Sequence, residues 1–369
     1  MLAPELSQHE GAQPALLDPC VTNPALCGGI GEPFDDGNHD PHLIFTIDKF
    51  VISTQEQSGG LLKTMTKTLN AEGNLESSQL IAVQEVPSTG MTSKTALAFN
   101  GTSSLLVYTE LSGSSKTLKA RLLNASGVPS STAAVTLATG LTGEVDAQVA
   151  AQGSQFLVAW SNGYDVVGNV VDSTGNLRSA RTRILASQAG LERNLDLVAS
   201  GKGFALAYEL NADVYVQNLA ADGSLSGDAL AVAKDPSLTE TDPALVASRS
   251  GLKVAFLSRI GERHEVKLAS VTSLGVSQSL VATGVELLGS PSIAQDCESL
   301  AVTFGKQTSS GWQVEGRLLD LNGALLDQGT FSTNARVGTG AALASDGASF
   351  MALWQGIVGS QYLYQGGIF

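Results

Sequence analysis

Histidine and cysteine are scarce in this chain, with four of the first and three of the second among 369 residues. Three cysteines cannot build a four-thiolate zinc site, and a nucleophilic triad has only His9, His39, His42 and His264 to draw on. No Gly-x-Ser-x-Gly elbow, His-Glu-x-x-His pair, Walker loop or Cys-x-x-Cys spacing occurs. No apolar run reaches the ~18 residues of a membrane-spanning helix. The opening Met-Leu-Ala-Pro-Glu lacks a charged n-region and an apolar h-region, so no signal peptide is read there. That fits either a cytosolic chain or an exported one whose leader has been replaced by a start Met. Positive charge is short as well: 21 Lys and Arg stand against 35 Asp and Glu, a net charge of -14. Such a surface repels phosphate backbones and anionic lipid, so nucleic acid is not an expected partner. Cys20 and Cys27 lie close together in one loop and are candidates for a disulfide, which leaves Cys297 alone and favours export.

What is present is a globular composition, 43% hydrophobic, arranged in a repeat of about fifty residues. Seven segments align on Phe50, Ser104, Phe156, Phe204, Leu252, Leu300 and Phe350, with steps of 54, 52, 48, 48, 48 and 50 residues. Seven residues before each anchor stands an aliphatic: Leu43, Leu97, Val149, Leu197, Leu245, Ile293 and Leu343. Four residues after each come Thr54, Tyr108, Trp160, Tyr208, Phe256, Phe304 and Trp354. Even offsets from the anchor place these side chains on one face of a strand. Their periodicity argues for core rather than a sugar-binding platform. Gly101, Gly153, Gly201 and Gly347 precede their anchors where a hairpin must turn.

A third strand follows, as in Asp165-Val-Val-Gly-Asn-Val-Val171, and ends in a turn marked by Gly73, Gly127, Gly175, Gly223, Gly275 and Gly323. Asn70, Asn124, Asp172 and Asp320 stand three residues upstream, a spacing that suits an Asx turn closed by a glycine. A more polar fourth strand completes each unit. Four antiparallel strands repeated seven times predict an all-β, seven-bladed β-propeller. The expected blades run at about 40–88, 92–141, 146–190, 194–236, 241–286, 290–334 and 340–369. The last repeat ends with its third strand. The N-terminal segment 1–39 is expected to supply the missing strand near residues 14–18 and close the ring, removing an open edge.

The run Gly153-Ser-Gln-Phe-Leu-Val-Ala-Trp160, followed by Asp165-Val-Val-Gly-Asn-Val-Val-Asp-Ser-Thr-Gly175, resembles a repeat of exported bacterial propeller proteins. Those repeats read Gly-x-x-Phe-Leu-Val-x-Trp followed by Asp-Ile-Tyr-Gly-x-Arg-Val-Asp-x-x-Gly. The likeness spans about residues 40–369 and is best in blades three, four and seven. It implies a propeller in a secreted, periplasmic or cell-surface setting, and no particular activity. Blade five departs from it with Thr272-Ser-Leu-Gly275, and blade one with Thr54 in place of an aromatic.

Candidate sites are few. Asp36, His39, Asp40 and His42 lie within one short segment and offer oxygen and imidazole donors for a divalent cation, although a turn-rich entry into blade one is the preferred explanation of them. Ten residues before their anchors stand Asp40, Lys94, Asp146, Asn194, Asp242, Ser290 and Gly340, at the expected mouth of the central channel. Asp146 and Asp242 there are either ligand contacts or turn-formers that bond their own backbone. Tyr164, Trp312 and Tyr362 are expected near the surface at third-strand starts. Arg259, Arg263 and His264 form the most charged loop, either a contact patch or a solvated turn. Asn100 and Asn124 match glycosylation acceptors but fall in expected turns. The chain therefore reads as a non-enzymatic binding or scaffold module, with a protein or glycan partner held by loops on one face and no resident cofactor. The alternatives are a hydrolase or lyase working at the channel mouth, or a structural subunit of a surface assembly.

Overall fold

The computed structural model describes Ile30 and residues 41–85, 94–112, 115–143, 145–284, 289–332, 335–336, 340–358 and 360–369. All regular structure among them is β, in seven antiparallel sheets whose strands follow chain order from the inside outward. Six sheets have four strands, and the seventh has three among the described residues. The innermost strands are His42–Phe45, Ala96–Phe99, Ala147–Gln152, Glu192–Ser200, Thr239–Ser248, Ser292–Gln295 and Ala342–Ser345. Each packs beside the innermost strand of the next blade, and Ala342–Ser345 packs beside His42–Phe45, so the seven form a closed ring.

The core lies between blades rather than within them. Trp160 of blade three packs with Val107 and Leu118 of blade two, and Tyr208 of blade four with Leu157 and Val170 of blade three. Similar apolar clusters fill the remaining seams. Every side chain four residues past its anchor is buried, including Trp160, Tyr208, Phe256, Phe304 and Trp354. This is the core role that their periodicity indicated. Burying each of these rings contributes about 1.5–3 kcal/mol.

The turns follow the chemistry of their residues. Asp172 Oδ1 accepts from Thr174 N at 2.9 Å and Asn176 N at 3.0 Å, while Gly175 N donates to the Asp172 carbonyl at 3.0 Å. Asn124 and Asp320 hold equivalent turns. Asn100, the other acceptor-like asparagine, uses Oδ1 for Thr102 N and Ser103 N.

Blade seven ends with its third strand, Gln361–Ile368. Residues 14–18, where a closing strand was expected, lie outside the described residues. At that edge Ile30 N donates to the Tyr364 carbonyl at 2.8 Å, and the Ile30 side chain joins the cluster between blades seven and one.

Candidate functional site

The seven innermost strands surround a channel of about 840 Å³. Each of these strands has one edge unpaired, so its backbone N–H groups need partners other than a neighbouring strand. Side chains from the preceding blade supply several. Asp146 Oδ2 accepts from Leu195 N at 2.5 Å, and Asp196 Oδ2 accepts from Leu245 N at 2.6 Å. His42 Nδ1 accepts from Leu97 N at 3.3 Å. His42 and Asp196 occupy the same register, eight residues before their anchors, and serve the same backbone position in the next blade. Asp242 continues the series by accepting from Ser290 Oγ at 3.0 Å.

The position ten residues before the anchor does line this channel. Lys94, Asp146, Asn194, Asp242, Ser290 and Gly340 all contribute to its wall. The strands bulge at Asn194 and Asp242, where the pairing register shifts. Both residues adopt left-handed backbone, φ 50° and φ 53°, which Asn and Asp tolerate better than other side chains do. Asn194 turns its amide to Glu209 Oε2 at 2.7 Å, and Arg193 binds the other oxygen of that buried carboxylate at 2.6 and 2.9 Å.

Charge along the channel is one-sided. Asp146, Asp196, Asp242, Asp296 and Asp346 line it, with Lys94 as its lysine. Burial raises the Asp196 pKa to about 6, and the nearby Asp146 charge pushes the same way, against two backbone N–H bonds. Burial lowers the His42 pKa to about 4. Cys297 is a free, exposed thiol at the opposite mouth.

The other candidates scatter. Tyr164 is 77% exposed on the hairpin after the second strand of blade three. Arg259, Arg263 and His264 lie on the corresponding hairpin of blade five. There Arg259 Nε donates to the Gly261 carbonyl at 2.9 Å, and Arg263 pairs with Glu265 at 3.0 Å. Burial and the Arg259 charge hold the His264 pKa below its usual value. Trp312, expected at the surface, is buried at 5% exposure among Val314, Phe331 and Trp354. It shares a strand face with Val314, and that face meets blade seven. Tyr362 is half-buried against the cluster between blades seven and one. Asp36, His39, Asp40, Cys20 and Cys27 lie outside the described residues. Among the described residues no group of three or more His, Cys, Asp or Glu converges to hold a metal.

Asp196, Asp296 and Asp346 were missed by the sequence reading. The register of Asp196 is shared by His42, Ala96, Gln148, Ala244, Ser292 and Ala342, so Asp196 is its single carboxylate and the polar residues there differ in type from blade to blade. Only the acceptor pairing of His42 and Asp196 hints at it.

No known family model matches the sequence, and no curated protein matches it either. Solved structures do match the fold. Hydrazine synthase of Kuenenia stuttgartiensis is 13% identical, with 88% of this chain and 94% of that one covered and a TM-score of 0.55. A prolyl endopeptidase is 14% identical over 85% of this chain and 45% of its own, TM-score 0.50. The Dos1 propeller is 14% identical over 90% and 93%, TM-score 0.45. At such identities the likeness is one of fold.

Proposed function

We propose that this chain is a non-enzymatic recognition module whose ligand brings a cationic group into the channel mouth lined by Asp146 and Asp242. That group is an amine or guanidinium of a protein or glycan partner. The observation that carries this reading is the pair Asp146 and Asp242 at one mouth of the channel of about 840 Å³, with Asp196 also on its wall, against one lysine, Lys94. A cleft of one charge sign with low-dielectric walls concentrates its field and attracts the opposite charge. Asp146 and Asp242 are the proposed contacts, with Lys94 excluding cations from one side. Tyr164, Arg259, Arg263 and His264 would belong to the rim that meets the rest of the partner. An extracytoplasmic setting is part of the proposal and rests on the resemblance of the repeat.

Titration with spermidine tests it, read by calorimetry. An Asp146→Asn/Asp242→Asn double variant keeps an acceptor oxygen at both positions while removing two charges. Saturable binding that weakens with salt and disappears in the double variant supports the reading. Binding that survives in that variant, or no saturable binding to the parent protein, overturns it.

A further inference from the structure

A second site sits on the outer side of the ring, independent of the channel. Third strands carry a long or polar side chain at one recurring register, opposite the residue two past each anchor. Lys67, Arg121, Asn169, Gln217 and Arg317 occupy it in blades one, two, three, four and six. Four of the five reach a partner. Lys67 pairs with Glu56, Arg121 Nη2 donates to the Ser130 carbonyl at 2.8 Å, and Arg317 pairs with Glu315 at 2.8 Å. Gln217 Nε2 donates to the Gly227 carbonyl at 3.0 Å. Asn169 is the exception. It is 3% exposed as a residue and makes no side-chain hydrogen bond to the described residues, and its amide is not among the fully enclosed polar atoms, because it faces a crevice. Ser179 stands where blade four has Gly227, and asparagine is one methylene shorter than glutamine.

Asn169 lines this crevice of about 220 Å³ together with Val170, Arg178, Ser179, Arg183 and Asp222. The opening arises because the outer strand is interrupted. Arg178 N bonds the Val170 carbonyl at 2.9 Å, and strand pairing resumes only where Arg183 meets Gly168. Residues 179–182 make no strand pairing between these points, beside Asn169. Arg178 Nη1 donates to the neutral Gln155 Oε1 at 2.5 Å, and its charge also acts on the Asp172 carboxyl. Arg183 has a carboxylate partner, Asp222 at 3.3 Å, but 41% and 59% of their side chains are exposed. Such surface pairs contribute little and are easily exchanged.

We propose that this crevice binds one tetrahedral oxyanion, a phosphate or sulfate ester at the end of a larger ligand. Two arginines, an asparagine and a serine line it, residue types that supply the donors a multi-oxygen anion requires. The volume lies below the ~300 Å³ at which pockets for whole small molecules begin, so it suits a single charged group.

The test is calorimetric titration of the full chain with methyl phosphate, methyl sulfate and acetate at constant ionic strength. The first two are expected to saturate and acetate is not, and the tighter of the two esters identifies the source of the group. Arg178→Gln should weaken binding by about tenfold or more, the effect of losing one charge-assisted hydrogen bond. Asp222→Asn should tighten it by freeing Arg183. Asn169→Ala should weaken binding several-fold while leaving the melting temperature close to that of the parent, since the amide holds no protein partner among the described residues; this variant carries the test if Arg178→Gln folds poorly. Arg249→Gln, on an exposed hairpin of blade five, should leave binding unchanged. Acetate binding as tightly as the esters, equal losses in Arg178→Gln and Arg249→Gln, or no saturation by either ester would overturn the proposal.

Discussion

Ile30 lies over Gly366 as the outer-strand side chains of other blades lie over the matching glycines. A Cβ at Gly366 would stand 3.2 Å from Ile30 Cδ1; at Gly168 it would stand 2.6 Å from Leu185 Cδ1. Ile30 thus takes, at the edge of blade seven, the place of a fourth-strand residue. Replacing it with Ala should destabilise the protein by about 2–5 kcal/mol, the usual cost of emptying a buried isoleucine site. Ile30→Asp should cost more, because it places a carboxylate beside the buried Tyr364 and Met351. Urea denaturation of both variants checks this. Unchanged midpoints would mean that the seam between blades seven and one does not depend on Ile30.

His42 and Asp196 hold equivalent seams but should respond oppositely to acid. The His42 pKa is lowered from 6.5 to about 4, so the unfolded chain takes up a proton first, and stability is lost as pH falls from about 6.5 towards 4. The Asp196 pKa is raised from 3.8 to about 6, so its contribution is full below pH 3.8 and is lost as pH rises through about 6. Melting temperatures between pH 4 and 7 should therefore show a steeper rise with pH for Asp196→Asn than for the parent, and a flatter one for His42→Gln. Parallel curves for all three proteins would refute this assignment.

The seven-fold repeat was legible because the propeller writes its core into one register, from Phe50 to Phe350, and its turns into Asx and glycine. The channel-mouth register of Asp146 and Asp242 was legible for the same reason. The seams were not. Trp312 reads as a strand-start aromatic, and only the neighbouring blade decides that it faces Trp354 and Phe331. Ile30 sits in Cys27-Gly-Gly-Ile-Gly31, which carries no strand pattern, whereas residues 14–18 look more apolar. The crevice at Asn169 depends on where pairing stops after Arg178 and resumes at Arg183. That is a property of backbone geometry, which the order of residue types does not encode.

Asp242 separates a backbone role from a charge role. Its φ of 53° lies in the left-handed region. Asp242→Ala should cost about 1–2 kcal/mol in thermal or urea unfolding, and Asp242→Gly should recover most of it, because glycine adopts that conformation freely. Spermidine binding should fall equally in both, since both lack the carboxylate. Binding that follows stability rather than charge would assign Asp242 to the bulge alone.

Gly316 and Phe331 should behave as a coupled pair. A Cβ at Gly316 would stand 2.2 Å from the Phe331 ring, which is buried against Trp354 at a centroid distance of 6.2 Å. Gly316→Ala therefore forces the ring outward and should destabilise by about 1–3 kcal/mol, the range for overpacking a filled core. Phe331→Leu alone should destabilise too, through lost contact with Trp354 and Phe369. Combined, the two changes should cost less than their sum, because the smaller side chain leaves room for the new methyl. A double-mutant cycle by urea unfolding measures that coupling, expected at about 0.5 kcal/mol or more in the compensating direction. Strict additivity would mean that the ring yields without cost, and that the glycine serves the strand backbone rather than the side chain above it.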